Sequence, residues 1–309
     1  MDTSQFERAE NGEQLSPAQG IFGFDVSYAD ADYVVLGVPW ELTVSGRKGT
    51  AHAPAAIVRA SHDIDLCVLG GSKHYRNGIH FQALTLPPAA RHDINRSSQV
   101  FNTQIRLRTA QILAAGKKLA LVGGEHSCPY GYLQALAAIH AEFGILHFDA
   151  HLDYRRAYQG YDFSHASIMY QVMETIPAVC KNVHVAIRDF CQWEHDYAKS
   201  LGERDQIFFA WDIHRRQVSH AEIVACLPAK VYISFDVDAF EVALCPSTGT
   251  PVPGGISYYD AVFILQALKD SGREVIGFDL CEVVPTASTG HGIDENVGAR
   301  ILYQMLALL

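Results

Sequence analysis

The chain has 309 residues, 49% of them hydrophobic, enough to bury a large core in one big domain or two small ones. Its 24 Lys and Arg oppose 34 Asp and Glu, for a formal charge of −10, and no basic run occurs, which argues against nucleic acid as a partner. An acidic balance suits a cationic substrate without requiring one.

The seven cysteines stand at 67, 128, 180, 191, 226, 245 and 281. Their number is odd, their spacing is scattered, and no C-x-x-C occurs. That pattern predicts reduced thiols in a cytosolic protein and disfavours a zinc–cysteine site. Met1 to Gly20 is polar, lacks an apolar segment of signal-peptide type, and reads as a flexible arm before a single domain over 21–309. No run is long enough to span a membrane.

In chain order, Tyr33 to Val38 reads as a buried strand ended by Pro39. Ser45 to Thr50 is a Gly-containing loop, followed by a helix over 54–61. Residues 79–86 hold a short strand closed by Pro87 and Pro88. Val100, Phe101, Ile105 and Ile112 predict a helix over 97–116, stopped at Gly116. A strand over 118–122 leads into Gly-Gly-Glu-His-Ser at 123–127, where Ser127 can cap the next helix, to about Glu142. The strand 143–149 follows, and then a loop to Ser164, which can cap a helix over 165–174.

Strands are expected at 182–187, 206–211, 230–236 and 274–279. Helices are expected at 193–201, 219–226, 258–269 and 297–309, with a Pro- and Gly-rich loop over 245–255. This alternation, about eight units long, predicts a parallel sheet covered by helices on both faces.

In such a sheet the site lies at the carboxyl ends of the strands. Four strands end in acidic or His residues. They carry Glu125 and His126; Asp149, His151 and Asp153; Asp236 and Asp238; and Asp279 and Glu282. Asp149, His151 and Asp153 share parity, so an extended backbone aims all three to one side. Carboxylates that close need a cation or a proton. Two His and four Asp on three strand ends suit hard or borderline divalent ions such as manganese. Four carboxylates match the charge of two such ions, which at roughly 3.5–4 Å separation can share and acidify a water.

These segments resemble the ureohydrolase superfamily: arginase, agmatinase, formimidoylglutamase and related guanidino hydrolases. The resemblance rests on Gly123–Ser127, Phe148–Asp153, Ser234–Asp238, Thr248–Gly255 and Gly277–Pro285, and extends from about Val34 to the C-terminus. It implies an α/β/α sandwich of arginase type and two Mn2+ per chain, with other divalent ions such as Ni2+ compatible. It places one metal on His126, Asp149, Asp153 and Asp236, and the other on Asp149, His151, Asp236 and Asp238. It also implies attack of a metal-bridging hydroxide on a planar amidine carbon. Asp153 orients the attacking oxygen, His165 relays the proton to the leaving nitrogen, and Glu282 binds the guanidinium or amidinium. Thr250 matches a threonine beside the attacking oxygen. A homo-oligomer, trimer or hexamer, is implied as well.

One departure is visible. The family's Asp-x-Asp-x-x-Asp-Pro reads Asp236-x-Asp238-x-x-Glu241-Val242 here, which bears on loop geometry and assembly. Arginase-type recognition of an α-amino acid uses an Asn-rich loop, whereas this chain has Tyr154-Arg155-Arg156-Ala157-Tyr158-Gln159-Gly160-Tyr161. Phe163-Ser-His-Ala-Ser is similar to agmatinase-type sequences, so an agmatinase-like hydrolase leads, converting agmatine to putrescine and urea. Arg155 and Arg156 can bind a carboxylate, which keeps formimidoylglutamase as the alternative. A non-catalytic assembly subunit has no need of all six ligands plus His165 and Glu282. A metal-dependent deacetylase uses fewer carboxylates and no cation-binding Glu282.

Overall fold

The computed structural model describes residues 3–13, 20–66, 71–86, 93–286 and 292–309. Cys67, Pro87 and Pro88 lie outside them. The apolar runs form eight strands: Tyr33–Gly37 (β1), Ile79–Ala83 (β2), Lys118–Val122 (β3), Phe143–Phe148 (β4), Val179–Ile187 (β5), Asp205–Phe209 (β6), Lys230–Asp236 (β7) and Glu274–Cys281 (β8). They make one sheet in the order β2-β1-β3-β8-β7-β4-β5-β6, and every pairing is parallel. β1 and β4 are buried at every position, the continuous apolar signature of a sheet covered on both faces.

Alternate strand residues feed two separate cores, as the two-residue strand period requires. Val35, Leu146, Phe148, Ile233 and Phe278 belong to one core. Val34, Leu36, Leu121, Ile145 and Tyr232 belong to the other. Helices Ser4–Glu10 (α1), Ala53–Ala60 (α2), Ile94–Ala114 (α3), Tyr130–Ala137 (α4), Ile168–Thr175 (α5), Gln192–Ser200 (α6), Ala210–His214 (α7), His220–Ala225 (α8), Tyr258–Asp270 (α9) and Ile293–Leu306 (α10) complete the layers. The first core takes side chains from α2, α8, α9 and α10, and the second from α3, α4, α5 and α6. The result is the three-layer α/β/α sandwich that the alternation predicts.

Several boundaries depart from expectation for identifiable reasons. Within the stretch read as a flexible arm, α1 buries Phe6 against Phe24 and Tyr75, with ring centroids 4.8 and 5.9 Å away. Gln5 adds hydrogen bonds in both directions to the Asp25 backbone. Ser127 does not cap a helix. It donates to Glu125 at 2.7 Å, and α4 starts three residues later with Pro129 as its N-cap. Ser164 likewise makes no cap bond; its hydroxyl faces that of Ser167 at 3.0 Å, and a 3-10 turn over His165–Ser167 precedes α5. Trp211 belongs to a short helix, not to β6. Ser219 and Ser257 do form capping boxes, with Glu222 and Asp260. The six cysteines among the described residues are free thiols, and no described helix is long and apolar enough to cross a membrane.

His74 is buried beside Tyr303, 4.4 Å between rings, and neither ring nitrogen has a hydrogen-bond partner among the described residues. Burial, and after it the charge of Lys269, pulls its pKa down from 6.5 to about 4. The unfolded chain therefore binds the extra proton between those values, and stability falls as pH drops through that window. About 3 kcal/mol is at stake by linkage. His74→Phe is expected to flatten this acid loss, read as the pH dependence of the urea midpoint between pH 4 and 7. An unchanged slope assigns the loss elsewhere.

Candidate metal centre

The strand order sets β3, β8, β7 and β4 side by side. Their carboxyl ends therefore deliver Glu125 and His126, Glu282, Asp236 and Asp238, and Asp149 to one place. The turn after β3 needs glycine at 124, because a Cβ there would lie 1.9 Å from the Trp40 carbonyl oxygen. Glu125 N–H donates to that same oxygen at 2.9 Å. The close approach turns His126 inward.

His126 Nδ1 lies 3.0 Å from Asp149 Oδ2, 3.1 Å from Asp153 Oδ2 and 3.5 Å from Asp236 Oδ2. His151 Nδ1 lies 3.3 Å from Asp149 Oδ1 and 3.1 Å from Asp238 Oδ2. The two sets share Asp149, which offers one oxygen to each. Asp236 Oδ1 accepts from the Asp238 N–H at 2.8 Å, and Asp238 Oδ1 from the Ala150 N–H at 2.9 Å. All six residues read from the sequence as ligands converge. Among the described residues, two groups have donor atoms mutually within 4.8 Å: His126, His147, Asp149 and Asp153, and Asp149, His151 and Asp238, with Asp236 in neither.

The parity reasoning holds only in part. β4 ends at Phe148, and Asp153 has φ of 54°, so the backbone is no longer extended there. Glu282 has φ of 66°. Left-handed conformations at non-glycine residues cost on the order of 1–3 kcal/mol, and both fall at the site.

Protonation balances show what the cluster lacks. Burial, and next the neighbouring Asp149 charge, raises Asp153 to about 7. Burial, Asp238 and Asp149 push Asp236 well up. Burial works against ionised Asp149, yet hydrogen bonds from His126, His147 and His151 outweigh it and hold its pKa well down. Burial also opposes protonated His126 and His151, but the carboxylates beside them raise both. With no cation, this many buried carboxylates must borrow protons. Divalent ions supply the missing charge, so the donor set fits a metal pair.

Glu282 is buried, and its Oε1 accepts from the His126 N–H at 2.9 Å. Burial first, and the Glu125 charge next, hold its pKa well up. Gly249 faces its other oxygen, where a Cβ would sit at 3.0 Å. Thr250 Oγ1 reaches Asp238 Oδ2 at 3.4 Å. His165 Nε2 meets Ser45 Oγ at 2.9 Å, and burial, then His151 and His126, pull it down to about 4. His165, Thr250, Asp153, His151, Arg155 and Asp189 share the wall of one cavity of about 250 Å³.

Arg155 is engaged there. Its Nε lies 3.2 Å from Glu194, and its guanidinium stands over the Tyr158 ring. Arg156 does not line the cavity; it lies over Trp193 and Tyr170. Glu241, the departure from the family pattern, accepts from the Gly254 N–H at 3.0 Å and so braces the 245–255 loop.

Sequence reasoning passed over three groups. His147 has the same parity as Asp149, and its Nε2 lies 3.0 Å from Asp149 Oδ2; parity was the signal. Arg188 donates to the carbonyls of Asp238 at 2.6 Å and Val252 at 2.7 Å, clamping two loops of the site, and no sequence signal marks it. Ser234 Oγ, 2.9 Å from His126 Nε2, lies inside a quoted motif without a role.

A profile described as Arginase family matches residues 31–307. The chain belongs to the arginase family. The family's chemistry, hydrolysis of a C–N bond in an amidine, is therefore its chemistry. N(1)-aminopropylagmatine ureohydrolase of Thermus thermophilus is 34% identical over 286 residues, covering 92% of each chain. Agmatinase of Proteus mirabilis is 32% identical, covering 95% of this chain and 94% of that one. The structure of arginase from Medicago truncatula superposes with a TM-score of 0.75 at 24% identity, covering 90% of this chain and 87% of that one, and shares the fold.

Proposed function

We propose that the chain is a dimanganese ureohydrolase acting on a linear guanidino amine, agmatine or its aminopropyl extension. The convergence of His126 and His151 on two carboxylate sets that share Asp149 carries the metal part of this reading. His126, Asp149, His151, Asp153, Asp236 and Asp238 would hold the manganese pair, which would supply a water acidified for attack at neutral pH. Around it, Asp153 accepts a hydrogen bond from the attacking oxygen and orients it. Glu282 faces the cationic guanidinium through a charge-assisted contact. His165, held by Ser45 and neutral at pH 7, would take a proton from the attacking oxygen and give it to the leaving nitrogen.

The amine end follows from the cavity wall. Arg155 is already paired with Glu194, so a substrate carboxylate finds it occupied. Asp189 lines the same cavity with a well-exposed carboxylate, which suits a cationic tail. The names of the Thermus and Proteus relatives point the same way.

Manganese-loaded protein is expected to release urea from agmatine or N(1)-aminopropylagmatine, ahead of guanidinobutyrate and arginine, and no formamide from formiminoglutamate. A panel with no urea release sinks the enzyme reading, and formamide release restores the alternative. Arg155→Ala is expected to shift KM for the guanidino amine by less than about fivefold, since its guanidinium is turned to the buried Glu194 and not to the substrate. A larger rise gives Arg155 a direct part in substrate binding.

A further inference from the structure

Beneath the metal centre, polar side chains cross the sheet where apolar ones would pack at no desolvation cost. His147 on β4 stands directly opposite His184 on β5, and both are fully buried. Their Nδ1 atoms face one another at 2.8 Å. His147 Nε2 lies 3.0 Å from Asp149 Oδ2, a carboxylate that only accepts, so this nitrogen donates. On its other side, His184 Nε2 lies 2.9 Å from the Tyr154 hydroxyl and 3.1 Å from Asp205 Oδ2. The Tyr154 hydroxyl donates to Asp205 and accepts from Asn182. Tyr154 follows Asp153 in the chain. One imidazole thus reaches both ends of the segment 149–154: Asp149 through His147, and the residue after Asp153 directly.

We infer that His184 is a positioning residue that, with His147, Tyr154 and Asp205, fixes the spacing of Asp149 and Asp153 and so tunes metal affinity. Two constraints on this segment need such a clamp. Asp153 sits at φ of 54°, which a free loop would leave. Asp149 must offer one oxygen to each cluster, and a donor fixed on Oδ2 sets that rotation. Hydrogen bonds from behind a ligand orient it in this way at metal sites, and removing them typically costs 10–100-fold in affinity. A buried His pair kept for packing alone would have no need to end on a carboxylate at each side.

The inference rests on the metal reading above, and the test separates the two. Manganese binding is measured by calorimetry, with the electron paramagnetic resonance of the loaded protein as a second readout. His184→Phe is expected to weaken manganese binding about tenfold and to alter the spectrum of the pair. Asp205→Asn, which keeps its shape, is expected to move both in the same direction. The double variant His147→Gln, His184→Phe is expected to lose less affinity than the two single losses multiplied together, since the two share the path to Asp149 and only the Tyr154 contact adds to it. Metal-free melting temperatures report folding, and Asp205→Asn carries the test if His184→Phe does not fold. Wild-type affinity and spectrum in both His184→Phe and Asp205→Asn overturn the clamp. Wild-type protein that takes up no manganese overturns the metal reading along with it.

Discussion

Asp149→Asn is expected to leave the protein with fewer than two manganese ions per chain and to lower kcat/KM by on the order of a thousandfold. Among the described residues, Asp149 alone belongs to both ligand clusters. One oxygen faces His126 and His147, the other His151. The amide removes a charge from both clusters and turns one acceptor into a donor aimed at an imidazole. Loss of metal assistance is worth several kcal/mol of barrier, and about 4 kcal/mol is a thousandfold. The same change should also lower the stability of the metal-free protein at neutral pH, because Asp149 is the carboxylate that His126, His147 and His151 hold ionised. The Asp149 charge is part of what lifts Asp153 to about 7. A carboxyl raised in the folded state stabilises below its unfolded pKa, near 4, and loses that stabilisation as pH rises through about 7. In Asp149→Asn this loss should shrink, giving a flatter profile of metal-free melting temperature from pH 4 to 7. Metal content and melting curves check both halves. Two ions retained at wild-type affinity would remove Asp149 from the site.

How much of this was legible in the sequence depends on which physical constraint each residue answers to. Runs such as Tyr33–Gly37 and Phe143–Phe148 read as buried strands because a two-faced sheet leaves no polar side. The strand order was not legible. Nothing local says that β7 and β8, late in the chain, fill the gap between β3 and β4, although the acidic strand ends made sense only as neighbours. Ser127 and Ser164 misled because local cap signals are weak against tertiary partners: Glu125 took one hydroxyl and Ser167 the other. His147 was missed because a lone His among apolar residues reads as core, and it is core by burial. Its role shows only once β5 sets His184 against it. Asp153 was read onto the ligand side by strand parity, whereas it is its left-handed backbone that brings it to His126.

Glu282→Gln is expected to separate metal binding from substrate binding. Gln keeps the acceptor that holds the His126 N–H, and Thr248 Oγ1 still donates to the residue's carbonyl at 2.9 Å. The loop should therefore hold its shape, and two manganese ions should bind as in wild type. The variant loses a buried negative charge that burial and Glu125 already strain. Its metal-free melting temperature should accordingly rise or stay level. A guanidinium, however, loses its charge-assisted partner. Removing one member of a buried charged pair costs about 3 kcal/mol, roughly a hundredfold in kcat/KM. Uniform loss of binding would appear in KM alone, whereas a fall in kcat as well shows that Glu282 also holds the amidine carbon in line for attack. Asp149→Asn loses metal and activity together, and Glu282→Gln should lose activity with its metals in place. Wild-type kcat/KM in Glu282→Gln would leave the carboxylate as a brace for His126 and require another anion to receive the substrate's charge.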